Sequence, residues 1–577
     1  MKRIAMPVII FRTTIVALAL CWGFSAAGAS GMPGETSLSG NYLAGRTASK
    51  LRDNDVASEY LSRALEGDSG NPVLIERVFL LELSEGNIEA AEELAVRVLG
   101  SNSQQRMARI VLGLRDFRVR HYEDARRNFT VASYTPVGEL TSTLLSAWSH
   151  AGEGELVRAL RSLDKLDGNE SFANFKSFHA ALISDYLGNA IRAEAFYKKA
   201  HEQAGTSLRV VQAYGNFLER NGRAEEATKI YTAFLDGGDD NPLVASALAG
   251  IKAGHKAQAM IATPGAGAAE ALFSLATAMT DEQSIDVGLL YAQLALSFNA
   301  DRPVAFTLLG DIYEDVKRPE KAIDAYSQVP ETSALRANAE MEIAINLQRL
   351  ERKDEALARL NGLLAQDPGD YDVLVTLGNI HRNNEDFAKA AEAYDRAIAT
   401  FTQPQPAHWR VFYYSGISNE RMKNWDKAEK EFRRALELAP EEAMVLNYLG
   451  YSMVDRKINL VEAMAMIKKA VALKPNDGYI VDSLGWAYFQ LGDYEQALIH
   501  CERAVELLAA DPIIGEHLGD VYWRVGRKLE AQFQWQHAKD NKPEPEDLKR
   551  IQDKQANGLP DEVPLTPVQN TTDQNNG

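Results

Sequence analysis

Residues 377–397 read LGNIHRNNEDFAKAAEAYDRA, and the spacing inside this stretch decides the fold. Gly378 is a small residue beside Leu377. Ala390, Tyr394 and Ala397 then follow at i, i+4 and i+7, which is one stripe of an α-helix. The same spacing returns on both sides. Small residues recur at Gly310, Ala344, Gly378, Gly416, Gly450, Gly485 and Gly519, stepping by 34 except for one step of 38 and one of 35. A second track runs Ala322, Ala356, Ala390, Ala428, Ala463, Ala497 and Ala531. Four residues after each stands a larger one: Tyr326, Leu360, Tyr394, Phe432, Ile467, Cys501 and Trp535. Pro368, Pro440, Pro475 and Pro543 close four of the units, where a helix must stop. The step of 38 takes its extra residues near Phe401–Pro406, a proline-bearing insertion.

A fixed period of this length marks a repeat architecture. Each unit reads as two short amphipathic helices. The first track lets the pair approach closely, and the large residue fills the space between neighbouring units. One pair cannot bury its apolar face alone, so the pairs must stack. The pattern resembles the tetratricopeptide repeat (TPR) family, most clearly at Leu377-Gly378…Ala390…Tyr394…Ala397 and Leu484-Gly485…Tyr488…Gly492…Tyr494…Ala497. The resemblance implies an all-α helix-turn-helix solenoid, a superhelix of about 13–14 repeats in two arrays.

Weaker copies extend upstream through Gly45 with Ala57 and Leu61, Gly113 with Ala125 and Phe129, and Gly215 with Ala227 and Tyr231. The expected layout is a signal peptide at 1–29, a short linker at 30–40, an N-terminal array at 41–235 and a C-terminal array at 271–543. Between the arrays, 236–270 reads as an irregular junction, because Thr263-Pro264-Gly265-Ala266-Gly267 has the composition of a turn. Residues 544–577 read as a mostly disordered polar tail with a short helical piece around 546–556.

The N-terminus reads as an address. Lys2, Arg3 and Arg12 precede or border the apolar run Thr13–Phe24, and Ala27-Gly28-Ala29 fits a small-residue cleavage site. Export to a periplasm is the expectation. The alternatives are an uncleaved N-terminal anchor and lipidation at Cys21.

Composition narrows the function. The 577 residues carry a net charge of −18, and loss of 1–29 deepens it to −21. This argues against a nucleic-acid binder, which needs a basic patch. Two cysteines allow neither a disulfide framework nor a four-thiolate zinc site. The ten histidines form no HExxH, and no G-x-S-x-G or phosphate-binding glycine loop occurs. No catalytic residue, metal or cofactor is therefore expected, and the chain reads as non-enzymatic.

In the family, the first helix of each repeat lines the concave face. Carried over residue by residue, this implies a groove of Asn379, Arg382, Arg410, Tyr413, Glu420, Asn447, Tyr451, Tyr479, Asp482, Trp486, Phe489, Glu516, Asp520 and Trp523. Aromatics among polar groups suit protein or peptide partners. The Lys/Asn/Arg pattern of chaperone-binding TPR domains is missing. Asp311, Glu314 and Asp315 would favour a basic segment at the repeat from Gly310. The resemblance implies a protein-interaction scaffold of the bacterial cell envelope, in association with envelope components. The alternative is a polysaccharide- or peptidoglycan-binding accessory protein, since aromatics with carboxylates also suit sugars.

Overall fold

The computed structural model describes residues 37–237, 241–298 and 303–560. The expected signal peptide and the tail beyond Pro560 lie outside the described residues. Thirty α-helices and three short 3-10 turns make up the structure, with no strand among the described residues. The solenoid of helix pairs is present, and two compact units divide it at Arg359/Leu360, within the helix Lys353–Gln366.

The repeat tracks do what their sizes suggest. All seven alanines of the second track, Ala322 to Ala531, are fully buried. The large residues four positions later, Tyr326 to Trp535, are buried to the same degree. Gly378 faces the Tyr394 ring, and Gly519 faces the Trp535 indole, so closely that a Cβ at either glycine would overlap the ring. Cys501 is a buried packing thiol against Gly485.

A third period becomes visible in the backbone. In each of the seven repeats from Gly310 to Gly519 the turn inside the pair carries a residue with positive φ seven positions after the small residue, for example Glu385 (60°) after Gly378, Lys423 (62°) after Gly416 and Gly492 (77°) after Gly485. It ends the first helix in the left-handed conformation that glycine takes without cost and a side-chain-bearing residue does not. Glu385→Gly is therefore expected to raise stability by about 0.5–1 kcal/mol, and Gly492→Ala to lower it by about 1 kcal/mol. Urea unfolding midpoints check both.

In the first unit the pairs run serially from Leu38–Lys50 to Ala224–Asp236, and a single helix, Pro242–Lys252, follows. The chain then turns back. The helix Pro264–Ala278 packs on Pro136–Gly152 and Ala173–Tyr186, and Ile285–Leu296 packs on Pro72–Ser84. This corrects the expectation of an irregular 236–270. Thr263 is an N-cap, its hydroxyl accepting from the Ala266 amide at 3.1 Å, and Pro264 is the first helical residue. Gly267 is small because the Trp148 indole lies directly on it. Residues 253–263, between the helices Pro242–Lys252 and Pro264–Ala278, form no helix. Polar contacts hold the turned-back chain. Thr141 and Tyr291 hydroxyls meet at 2.9 Å, Gln293 donates to the Ser84 carbonyl at 3.1 Å, and Arg318 donates to the Arg52 carbonyl at 2.6 Å.

The second unit continues the pairs through Lys528–Asp540 and ends on a further helix, Pro545–Asn557. The expected helical piece is thus present, and it is docked. Ile551 is fully buried against Ala531, Trp535 and Ala538. The insertion near Phe401–Pro406 leads into a 3-10 turn, Pro406–His408, closed by Phe401 stacking on His408 at 3.8 Å.

Candidate interaction groove

The residues expected along the inner row fall into three groups. The first group packs between repeats. Tyr413 is nine-tenths buried and meets the Trp409, Phe432 and Tyr448 rings, each at 6.0 Å. Asn379 accepts from the Tyr394 hydroxyl at 2.9 Å, and Arg382 donates to that hydroxyl at 3.3 Å while its guanidinium lies 4.5 Å from the Tyr414 ring centre. Glu420 accepts from Arg456 at 3.2 Å and from the Tyr448 hydroxyl at 3.4 Å. Trp523 lies against Trp535 at 5.4 Å and against Gly558.

The second group is covered by the chain itself. Glu516 is 1% exposed and takes both a paired contact from Arg550, at 2.7 and 2.6 Å, and one from Lys554 at 2.6 Å. Asp520 accepts from the Trp535 indole N–H at 2.9 Å and from Lys554 at 2.5 Å. Burial opposes ionisation of Glu516, but Arg550 and Lys554 outweigh it and hold its carboxyl below the ordinary value. Burial pushes the Asp520 carboxyl up, against the pull of Lys554. A partner cannot use these two acids while the helix Pro545–Asn557 is in place.

The third group is half-buried or exposed, apart from the buried Asp482, and is well supported. Trp486 is stacked between two rings, Phe489 at 4.8 Å and His517 at 4.0 Å, with interplanar angles of 10° and 15°. His517 is fixed in turn by Asp482, whose Oδ2 lies 2.8 Å from Nδ1. Burial is the largest single influence and works against the charged imidazole, but Asp482, with Asp520 and Glu516, outweighs it and raises the pKa. A carboxylate only accepts, so Nδ1 carries the shared proton. Tyr451 is half-buried, and burial followed by Asp482 and Asp455 raises its hydroxyl pKa. Asn447 Oδ1 and Asp482 Oδ1 are buried without a hydrogen-bond partner. Tyr479 is 43% exposed, and its hydroxyl is pushed up to about 12 by burial and then by Asp511. Arg410 is exposed beside the Trp409 ring.

Three residues that shape this row escape the sequence reading. His517 lies beside an inner position rather than on one. Arg550 and Lys554 sit in a segment read as tail, where their i, i+4 spacing around Ile551 was the available signal.

In the first unit, the acidic face near Gly310 is partly engaged. Asp311 accepts from the Tyr326 hydroxyl at 2.7 Å, and Glu314 lies 3.4 Å from Arg349. Glu342 joins them, its carboxyl raised to about 7 by burial and then by Glu314 and Asp311, against Arg349. The native state thus binds the extra proton, and this group's contribution to stability falls as pH rises toward 7. His150, Glu153 and Glu155 bring ligand atoms within 4.8 Å of one another. Arg126 already takes both Glu153 oxygens, at 2.8 and 2.9 Å, and Arg158 both of Glu155, at 2.9 and 3.0 Å. No helix among the described residues is long and apolar enough to cross a membrane.

These features are those of a repeat scaffold, and comparison with known proteins agrees. Family models of the tetratricopeptide repeat match residues 341–406, 416–478 and 481–510. The matched segments are tetratricopeptide repeats, a repeat class that serves as a protein-interaction scaffold. It is 30% identical over 215 residues to a TPR repeat-containing protein of Pseudomonas aeruginosa, covering 37% of this chain and 35% of that one. It is 25% identical over 235 residues to the BBSome complex member BBS4 of Bos taurus, covering 40% of this chain and 44% of that one. The matches thus span less than half the length of either relative. Among solved structures, a chain of the APC/C hetero-tetramer Cut9-Hcn1 is similar at 13% identity and a TM-score of 0.37, covering 90% of this chain and 96% of that chain.

Proposed function

We propose that the protein is an exported, non-catalytic scaffold of the bacterial cell envelope that holds a protein or peptide partner on the inner row of its second unit. The observation that carries this reading is the Phe489–Trp486–His517 stack. An aromatic plate held by ring contacts on both sides and by a buried Asp482–His517 hydrogen bond behind is already ordered before a partner arrives. Little conformational entropy is then lost on binding, and such anchors dominate protein interfaces. Tyr451, Tyr479 and Arg410 add polar and aromatic contacts along the same row.

The test is crosslinking in cells followed by mass spectrometry, comparing wild type with Tyr451→Ala/Trp486→Ala. Neither residue is fully buried, so the variant is expected to keep its helical circular dichroism and to lose its main partners. An unchanged partner set with the fold intact refutes the groove. Trp523 is left out of the variant because its ring supports Trp535. Export rests on the charged, apolar and small-residue order of 1–29. Fractionation with N-terminal sequencing is expected to find a periplasmic chain starting at Ser30, and a cytoplasmic chain retaining Met1 would refute it.

A further inference from the structure

The segment left without helix, 253–263, does more than connect. It crosses the inner row of the helix Leu208–Arg220 and is pinned there by Asn216, whose Nδ2 donates to the Gln258 carbonyl at 2.7 Å. Beneath it lies a cleft of about 310 Å³, at the small end of the range for ligand sites.

The charges in this cleft are unevenly spent. Arg209 is engaged on all three of its nitrogens: Nε and Nη2 bind Glu270, which is 1% exposed, and Nη1 donates to Gln212 at 2.9 Å. Glu219 accepts only the Tyr231 hydroxyl, at 2.8 Å, and keeps a second carboxylate oxygen. Lys256 and His255 line the same cleft from the strap and are exposed, and their side chains form no hydrogen bond or ion pair with another described residue. A cation, Lys256, and a carboxylate, Glu219, therefore share one cleft without pairing to each other. An anion alone would meet Glu219, and a cation alone would meet Lys256. A ligand bearing one charge of each sign satisfies both. Ala247 and Met260 supply apolar wall between them, which suits small side chains.

We propose that this cleft binds a short zwitterionic peptide, its carboxylate on Lys256 and His255 and its ammonium on Glu219. The site is separate from the inner row of the second unit, and its success or failure is independent of that reading.

Titration calorimetry of the full chain with tri-alanine tests it. One saturable site is expected. Lys256→Ala, an exposed change that leaves the fold intact, is expected to weaken binding about tenfold, the size of one charge-assisted contact. C-amidated tri-alanine should lose at least as much affinity on wild type, and should lose less on Lys256→Ala, where only the His255 contact remains to be removed. N-acetylated tri-alanine should likewise lose affinity on wild type and not on Glu219→Gln. Absence of saturable binding, or equal binding to all variants, overturns the proposal. Undiminished binding of the N-acetylated peptide also overturns it, since the cleft would then take the carboxyl end of a longer chain.

Discussion

Replacing Arg550 and Lys554 together by alanine is expected to cost the second unit about 3–5 kcal/mol. The loss comes less from the removed contacts than from what they leave behind. Glu516 and Asp520 are 1% and 2% exposed, and without Arg550 and Lys554 two carboxylates stay buried with no cation within ion-pair distance. Urea unfolding followed by circular dichroism measures the effect. Two controls separate this cause from simple loss of helix packing. In a Glu516→Gln/Asp520→Asn background the same alanine pair should cost much less, because nothing charged is stranded. The pH dependence has a definite sign. Glu516 has its folded pKa below the ordinary 4.5, so its contribution is complete above that value and is lost as pH falls through the folded pKa. Wild type and the alanine pair should therefore converge in acid.

Trp148→Ala is expected to cost the first unit about 3–5 kcal/mol, the range for emptying a fully buried aromatic site. Trp148 is fully buried, donates its indole N–H to His179 Nδ1 at 3.1 Å, and is covered by Gly267. His179 is itself buried, and burial pushes its pKa down to about 4, so it accepts as a neutral ring. The substitution removes the ring on which the helix Pro264–Ala278 rests and strands that acceptor. A loss below 1 kcal/mol would mean that this packing does not hold the turned-back chain. Thermal unfolding with a limited-proteolysis check for cleavage in 253–263 distinguishes a local opening from global loss.

Most of the architecture was legible because the repeat is a steric device. A small residue, an alanine and a large residue at fixed offsets can only serve close helix pairing, and Gly378, Ala390 and Tyr394 serve it. The left-handed turn position was less visible, because Glu385, Lys423 and Lys457 hold it as well as glycines, and side-chain type alone does not reveal φ. The segment at 263–267 was misread for a definite reason. Proline and glycine are turn residues in isolation, but proline is also favoured as the first helical residue and glycine wherever another ring must come close. That ring, Trp148, lies more than a hundred positions away, and no local pattern announces it. The groove was legible as a row and not as a surface. Family offsets place Tyr413, Glu516 and Asp520 on the inner side, but their exposure is set by Tyr448 and by the helix Pro545–Asn557. The proposed partner surface is the neighbourhood of Trp486, where the helix Pro545–Asn557 does not cover the row.

The most direct measurement places a photo-crosslinking aromatic amino acid at Tyr479, on the same helix as Trp486, and in a second strain at Ile499, which is 58% exposed on the paired helix Tyr494–Leu507. Capture of discrete protein partners from Tyr479, and not from Ile499, is the predicted result. Equal capture from the two positions, or capture from Ile499 alone, would contradict the inner row as the partner-binding surface.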